Sequence, residues 1–278
     1  MRKMSQLYKI AFSALFIALG VILSRVLSIN FLAGLPFLKI SLTMSVVLFS
    51  SFYLGPIYGT IISFAIDFIG ALLMPIGPYD FLYSIPAIVQ GFTPFLLYVL
   101  FIKIHADRKY PIVLGILLLL MNAIVVTFVL THTNVKVTGE DSITITPTLK
   151  WVIPLVSFLV SLIFYIGVII FKTRFKDSRF NQNYSLYVLV ISVILTYFAF
   201  KIPISSWVTS YRMGFSFELV YGAKSLTAFL SMFIHIIIVC LALSLSLKIG
   251  VRGALLSPKL AISREINQEE RDKNVRRK

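Results

Sequence analysis

The chain has 278 residues, of which 58% are hydrophobic and only 13% charged, with a mean hydropathy of +0.93. A soluble domain carries about 25% charged residues, so the composition excludes one. The net charge of +15 invites nucleic acid as a partner, but its placement excludes that: basic residues gather at 103–109, 172–179 and 248–278, between and after apolar blocks. This is the asymmetry that orients a multi-pass membrane protein with those segments in the cytoplasm. A tail so basic can also touch anionic membrane lipid, although topology alone accounts for it.

A helix needs about 17 to 25 predominantly apolar residues to cross the hydrocarbon layer. There every backbone group must be satisfied internally, which leaves helices or closed barrels. The short alternating segments of a barrel are missing. Eight spans are predicted, at about 7–28, 40–54, 56–74, 84–102, 111–130, 152–171, 185–202 and 225–247. The expected fold is therefore an all-α polytopic transmembrane helical bundle in the cell membrane, with both termini cytoplasmic. Its transmembrane domain covers about 1–255, and a basic cytoplasmic tail covers 256–278. The first block follows Met1-Arg2-Lys3 as a signal peptide would. It is too long for an h-region and lacks a small-residue cleavage site, so a retained first span is expected.

Between the blocks, Gly55-Pro56-Ile57-Tyr58-Gly59 predicts a tight turn joining the second and third spans. The connection Met74-Pro75-Ile76-Gly77-Pro78-Tyr79-Asp80 predicts a compact outer loop, and the polar segment 131–150, with alternating Thr and Ile, a short outer hairpin. Residues 201–224 bring Trp207, Tyr211, Arg212, Phe215, Phe217, Tyr221 and Lys224 together. They are expected to form a loop, either of interfacial aromatics or as a lid over a site. Cys240 is the single cysteine, so no intrachain disulfide forms.

Enzymatic signatures are missing. No Gly-x-x-x-x-Gly-Lys-Ser/Thr phosphate loop occurs, and no His-Glu-x-x-His; His105, His132 and His235 are scattered. An enzyme is not expected, nor a metal or a cofactor. What the spans do carry is a set of polar residues at one depth, reckoned at about 1.5 Å per residue. Arg25 ends the first span, Lys39 opens the second, Asp67 lies in the outer half of the third, Gln90 early in the fourth, and Lys224 just before the last. Intramembrane ionisable residues are costly unless paired or hydrated, and usually functional. Asp67 is read as a site residue in preference to a structural ion pair. Arg25, Lys39 and Lys224 serve a pocket or snorkel to the interface. Gln90 lines the same pocket or bridges helices, and His235 is expected to hydrogen-bond between helices. In the first span, Ala11, Ala14 and Ala18 form a smooth patch for close approach of another helix.

Several of these segments resemble a known family. Ala14-Leu15-Phe16-Ile17-Ala18-Leu19 with Leu23-Ser24-Arg25-Val26-Leu27-Ser28-Ile29 resembles the first span of S components of energy-coupling-factor (ECF) vitamin importers, folate group. The Gly-Pro-Ile-x-Gly turn at 55–59 and Asp67-Phe68-Ile69-Gly70-Ala71-Leu72-Leu73-Met74-Pro75 are the most specific part, and the last two helices, Ser192 to Lys248, match more loosely. The family has six spans, so the resemblance implies an extra hairpin at about 111–171. Where the group has Arg-Gly in its fourth span this chain has Gln90-Gly91, and Lys224 stands nearest to an Arg of the last helix. The resemblance implies capture of a vitamin, folate or a related planar one, from outside. Arg25, Lys39, Asp67, Tyr79, Gln90, Trp207, Arg212 and Lys224 would bind it. It also implies partners: a membrane coupling subunit docked on Ala11, Ala14 and Ala18, and two ATP-binding subunits. The competing expectation is an ion-coupled secondary transporter using Asp67, although no internal repeat is seen.

Overall fold

A computed structural model describes residues 6–25, 29–30, 39–73, 80–103, 109–131, 134–136, 142–144, 147–174 and 185–248. Its elements in chain order are α1 (Gln6–Arg25), β1 (Ile29–Asn30), β2 (Lys39–Ile40), α2 (Thr43–Leu54), α3 (Pro56–Leu73), a 3-10 turn (Phe81–Tyr83), α4 (Ser84–Lys103), α5 (Tyr110–Thr131), β3 (Asn134–Lys136) and β4 (Ser142–Thr144). They continue with α6 (Pro147–Arg174), α7 (Leu186–Leu195), a π-turn (Thr196–Lys201), α8 (Ile202–Met213) and α9 (Phe217–Lys248). Helices make up nearly all of it; the strands form two small antiparallel hairpins, β1–β2 and β3–β4. The second of these is the hairpin expected within 131–150.

Among the described residues, six helical segments are long and apolar enough to cross a membrane: α1, α3, Phe81–Lys103, α5, Trp151–Arg174 and the run Leu186–Met213. Helix α9, bent by 43° about residue 230, makes a seventh when its two parts count as one span. The expected span at 40–54 is instead the twelve-residue α2. At 1.5 Å per residue it reaches about 18 Å, short of a hydrocarbon layer about 30 Å thick. Ten of its twelve residues are buried, so protein rather than lipid surrounds it.

The turn before α3 forms as its sequence predicts. Gly55 takes φ +100°, a conformation that favours glycine, and its N–H donates to the Ser51 carbonyl (3.0 Å). The expected loop at 201–224 does not form. Among residues 185–248 the helical structure breaks only at 214–216, where Gly214 (φ +72°) caps α8 by donating to the Ser210 carbonyl. Helix α8 continues from α7 because the π-turn absorbs Pro203. Proline has no N–H to give the Ala199 carbonyl and clashes with it, and a wide π-turn accommodates such a fault without ending the helix.

Two apolar clusters hold the bundle. One joins α1, α2 and α3 through Phe16, Val47, Tyr53, Ile62 and Ile66. The larger gathers α2, α4, α5, α7 and α9 around the fully buried Leu48, Phe52, Tyr98, Leu189, Ile191 and Phe229. Small residues bring the helices close: a Cβ on Gly59 would stand 2.7 Å from the Gly91 carbonyl oxygen, so the backbones of α3 and α4 touch there. Helices α5 and α6 pair as a hairpin clasped by Asn122, whose side-chain N–H donates to Ser161 Oγ (2.8 Å) and whose Oδ1 accepts from Ser157 (2.9 Å). Outside that clasp α6 presents an apolar surface, with Trp151, Leu155 and Ile163 exposed.

Candidate binding cavity

Six helical elements close a ring: α1 packs on α3, α3 on α4, α4 on the π-turn and α8, α8 on α9, α9 on α2, and α2 on α1. At one end the ring encloses a cavity of about 410 Å³, within the range of small-molecule sites. Arg25, Ser41, Thr43, Ser63, Asp67, Gln90, Tyr197, Lys201, Ser205, Lys224, Thr227, Ser231 and His235 line it, with Met44, Val47, Ile66 and Ala228 among the apolar parts of its wall. No lining residue comes from α5 or α6.

Each polar group reaches the cavity for a local reason. Arg25 is the last residue of α1, and its guanidinium lies against Gly70, where a Cβ would stand 2.8 Å from Nε. That places it beside Asp67, one turn earlier on α3, and the two charges act on each other. Asp67 also accepts from Ser84 Oγ (2.8 Å) at the start of α4. Ser41 ties the α2 entrance to α1 by donating to the Leu23 carbonyl (2.9 Å). Across the cavity, Lys224 Nζ donates to the Ser205 carbonyl (2.8 Å) and to Thr209 Oγ1 (2.7 Å), both on α8. His235 Nδ1 pairs with Ser45 Oγ (2.7 Å), joining α9 to α2, and its ring stacks on Tyr197 at 6.1 Å. The interhelical role expected of His235 is therefore present, together with a place in the cavity wall.

The structure brings together four of the residues singled out from sequence, Arg25, Asp67, Gln90 and Lys224. Lys39 is in β2, paired with Asn30, and Tyr79 lies outside the described residues. Trp207 and Arg212 do not line the cavity. Trp207 is 54% exposed on α8 and stacks on Tyr211, while Arg212 forms an ion pair with Asp80 at the head of the 3-10 turn. Ala11, Ala14 and Ala18 are exposed on α1, away from its buried Ser13, Phe16 and Gly20.

Sequence reasoning missed Tyr197 and Lys201 in the π-turn and assigned Lys201 to an outer span end. A signal was available on α9: Lys224, Thr227, Ser231 and His235 follow one another at i, i+3, i+7 and i+11, a polar stripe on one face of an apolar helix. Among the described residues no group of three or more His, Cys, Asp or Glu side chains is placed to hold a metal.

No family model matches the chain, and no curated protein or solved structure matches it either. Fold and site together define a membrane-embedded helical protein with a partly open polar cavity at one end of its bundle.

Proposed function

We propose that this chain is the substrate-capture subunit of an ECF-type importer, taking a vitamin (folate or a related planar one) from outside for ATP-driven uptake through partner subunits. The observation that carries the reading is the cavity itself, assembled from α1–α4, the π-turn with α8, and α9, and not at all from the α5–α6 hairpin. Those are the six elements of the core that the sequence resemblance implies, and the hairpin is the addition. Counted this way the chain passes eight times, with α2 a short pass shielded by its neighbours. The distribution of basic residues supports both termini in the cytoplasm, which turns the cavity end outward. The exposed Ala11/Ala14/Ala18 face of α1 suits close helix packing and is the docking surface for the membrane coupling subunit. ATP hydrolysis belongs to the two partner subunits.

The ion-coupled alternative would use Asp67 as its coupling carboxylate. The cavity's charge speaks against it: Arg25, Lys201 and Lys224 face one carboxylate, which already accepts from Ser84 and lies beside Arg25. A site with this excess of positive charge attracts anions rather than sodium or protons.

The test is equilibrium binding of tritiated folate, beside a panel of other B vitamins, to the detergent-purified chain without partners. One member is expected to bind tightly, and Arg25→Ala or Asp67→Asn to weaken it by at least about tenfold. A folded protein that binds none of them would remove the capture reading and move the coupled transporter to first place.

A further inference from the structure

One wall of the cavity holds polar groups that no other described residue satisfies. Tyr197 is 3% exposed and lines the cavity, yet its hydroxyl has no hydrogen-bond partner. Buried hydroxyls are almost always paired; Ser51, Ser206 and Ser225 share this state, but of the four only Tyr197 belongs to the cavity wall, where a bound solute can supply the partner. One turn on, the half-buried Lys201 reaches the same cavity. An ammonium has three donors and no acceptor. The partners found for Lys201 are the Met44 sulfur, at 3.7 Å, and the Tyr197 ring, whose centroid is 5.1 Å from Nζ. A thioether is a weak acceptor, and no carboxylate among the described residues sits on this wall: Asp67 is held by Ser84 beside Arg25, Asp80 pairs with Arg212, and Glu218 is exposed. Lys224, near enough to repel Lys201, spends two donors on Ser205 and Thr209 and keeps a third.

The wall thus offers donors and positive charge with no anion to receive them. A pair of neighbouring ammonium groups in a partly dry site is costly unless an anion lies between or beside them. The π-turn is what makes this arrangement. In its wide turn Tyr197 and Lys201, four apart, face the same way, and π-turns inside α-helices are frequent at functional sites. His235, anchored by Ser45, lies nearly parallel to the Tyr197 ring at 16° and completes a flat face.

We propose that Tyr197, Lys201 and Lys224 form a carboxylate subsite, so that the captured solute is a carboxylate-bearing compound held by its anionic group on the wall opposite Arg25. Tyr197 donates its hydroxyl to one carboxylate oxygen and Lys201 donates an ammonium N–H to the group, while the spare donor of Lys224 strengthens the same pole. Charge-assisted bonds of this kind are about twice as strong as neutral ones. The inference rests on the capture reading but narrows it: vitamins without an acid group are excluded as cargo.

Calorimetric titration of the full chain in detergent tests it. The probes are nicotinate, biotin, pantothenate and folate, each beside its uncharged counterpart (nicotinamide, biotinamide, pantothenol, folate dimethyl ester), with thiamin as a cationic vitamin. One acid is expected to bind, with its uncharged counterpart weaker by about thirtyfold or more. Lys201→Met, which keeps the volume and removes the charge, is expected to weaken the acid by about thirtyfold, and Tyr197→Phe by about fivefold. Tyr197→Phe removes only the unpartnered hydroxyl, so it carries the test should Lys201→Met not fold. Equal binding of acid and uncharged counterpart, binding of thiamin, or an acid whose affinity neither variant changes would overturn the subsite and leave the capture reading standing. No binding of any of the nine probes to folded protein would overturn the subsite, and if riboflavin and pyridoxine in the same titration also fail to bind, the capture reading falls with it.

Discussion

The contact of α3 and α4 at Gly59 and Gly91 supports a quantitative prediction. Gln90 neighbours Gly91 on α4, and Asp67 lies eight residues beyond Gly59 on α3, so the crossing sets the distance between two cavity walls. A methyl on Gly91 would overlap the Gly59 carbonyl oxygen and stand 2.7 Å from both Gly59 C and Thr60 Cα, whereas ordinary contact begins at 3.4 Å. The obstacle is backbone, not the end of a flexible side chain, so the helices must part by about 0.7 Å or more, a gap that forfeits a quarter to a half of the dispersion attraction at each contact. Gly91→Ala is therefore expected to cost about 2 kcal/mol, a fall of about 4–8 °C in Tm for a chain of this size. The double variant Gly59→Ala/Gly91→Ala should cost less than the two separately, because the first methyl has already parted the helices. Gly167→Ala is the matched control. It lies on the exposed side of α6 with nothing within 4 Å of its Cβ position, and alanine there should raise stability by about 0.5–1 kcal/mol. Thermal unfolding of the purified variants, followed by intrinsic fluorescence, reads all four. A Gly91→Ala protein as stable as the parent, or a Gly167→Ala protein destabilised equally, would refute the close-contact argument.

Three other outcomes follow from single contacts. Asn122→Leu removes the clasp between α5 and α6 and should lower stability by about 1 kcal/mol with cavity binding unchanged; thermal unfolding and a vitamin titration on the same sample check both halves. Asp80→Asn breaks the pair with Arg212, whose side chain is 44% exposed, so denaturation should register a loss of about 1 kcal/mol or less. Trp207→Ala should leave ligand affinity within about twofold, because its ring stands outside the cavity; a large loss of binding in titration would return that ring to the site.

Apolar blocks revealed most of the helices because hydropathy reports directly on crossing hydrocarbon. It cannot separate a helix bathed in lipid from one encased by protein, and so α2, with ten of twelve residues buried, was read as a full span. Four of the eight residues expected at the site were legible through depth: Arg25, Asp67, Gln90 and Lys224 stand out as polar residues in apolar helices. Lys201 was not, for a specific reason. A lysine two residues before Pro203 reads as the end of a span, since proline usually stops a helix; only the π-turn lets the helix run on and leaves that lysine inside. The aromatic segment after it then reads as a loop, while the real stop is Gly214, which takes the positive φ (+72°) that ends a helix and that glycine adopts without strain.

The π-turn also fixes the phase between α7 and α8. A π-turn holds about one residue more than an ordinary helical turn, and each residue of an α-helix advances the chain by about 100°. Deleting Ala199 would thus rotate all of α8 by roughly that angle, carrying Ser205 and Thr209 away from Lys224. Length is free to vary across the non-helical 214–216, but between 196 and 205 the residue count is as much a part of the site as the side chains are. Chains descended from this one should show insertions and deletions in the first place and none in the second.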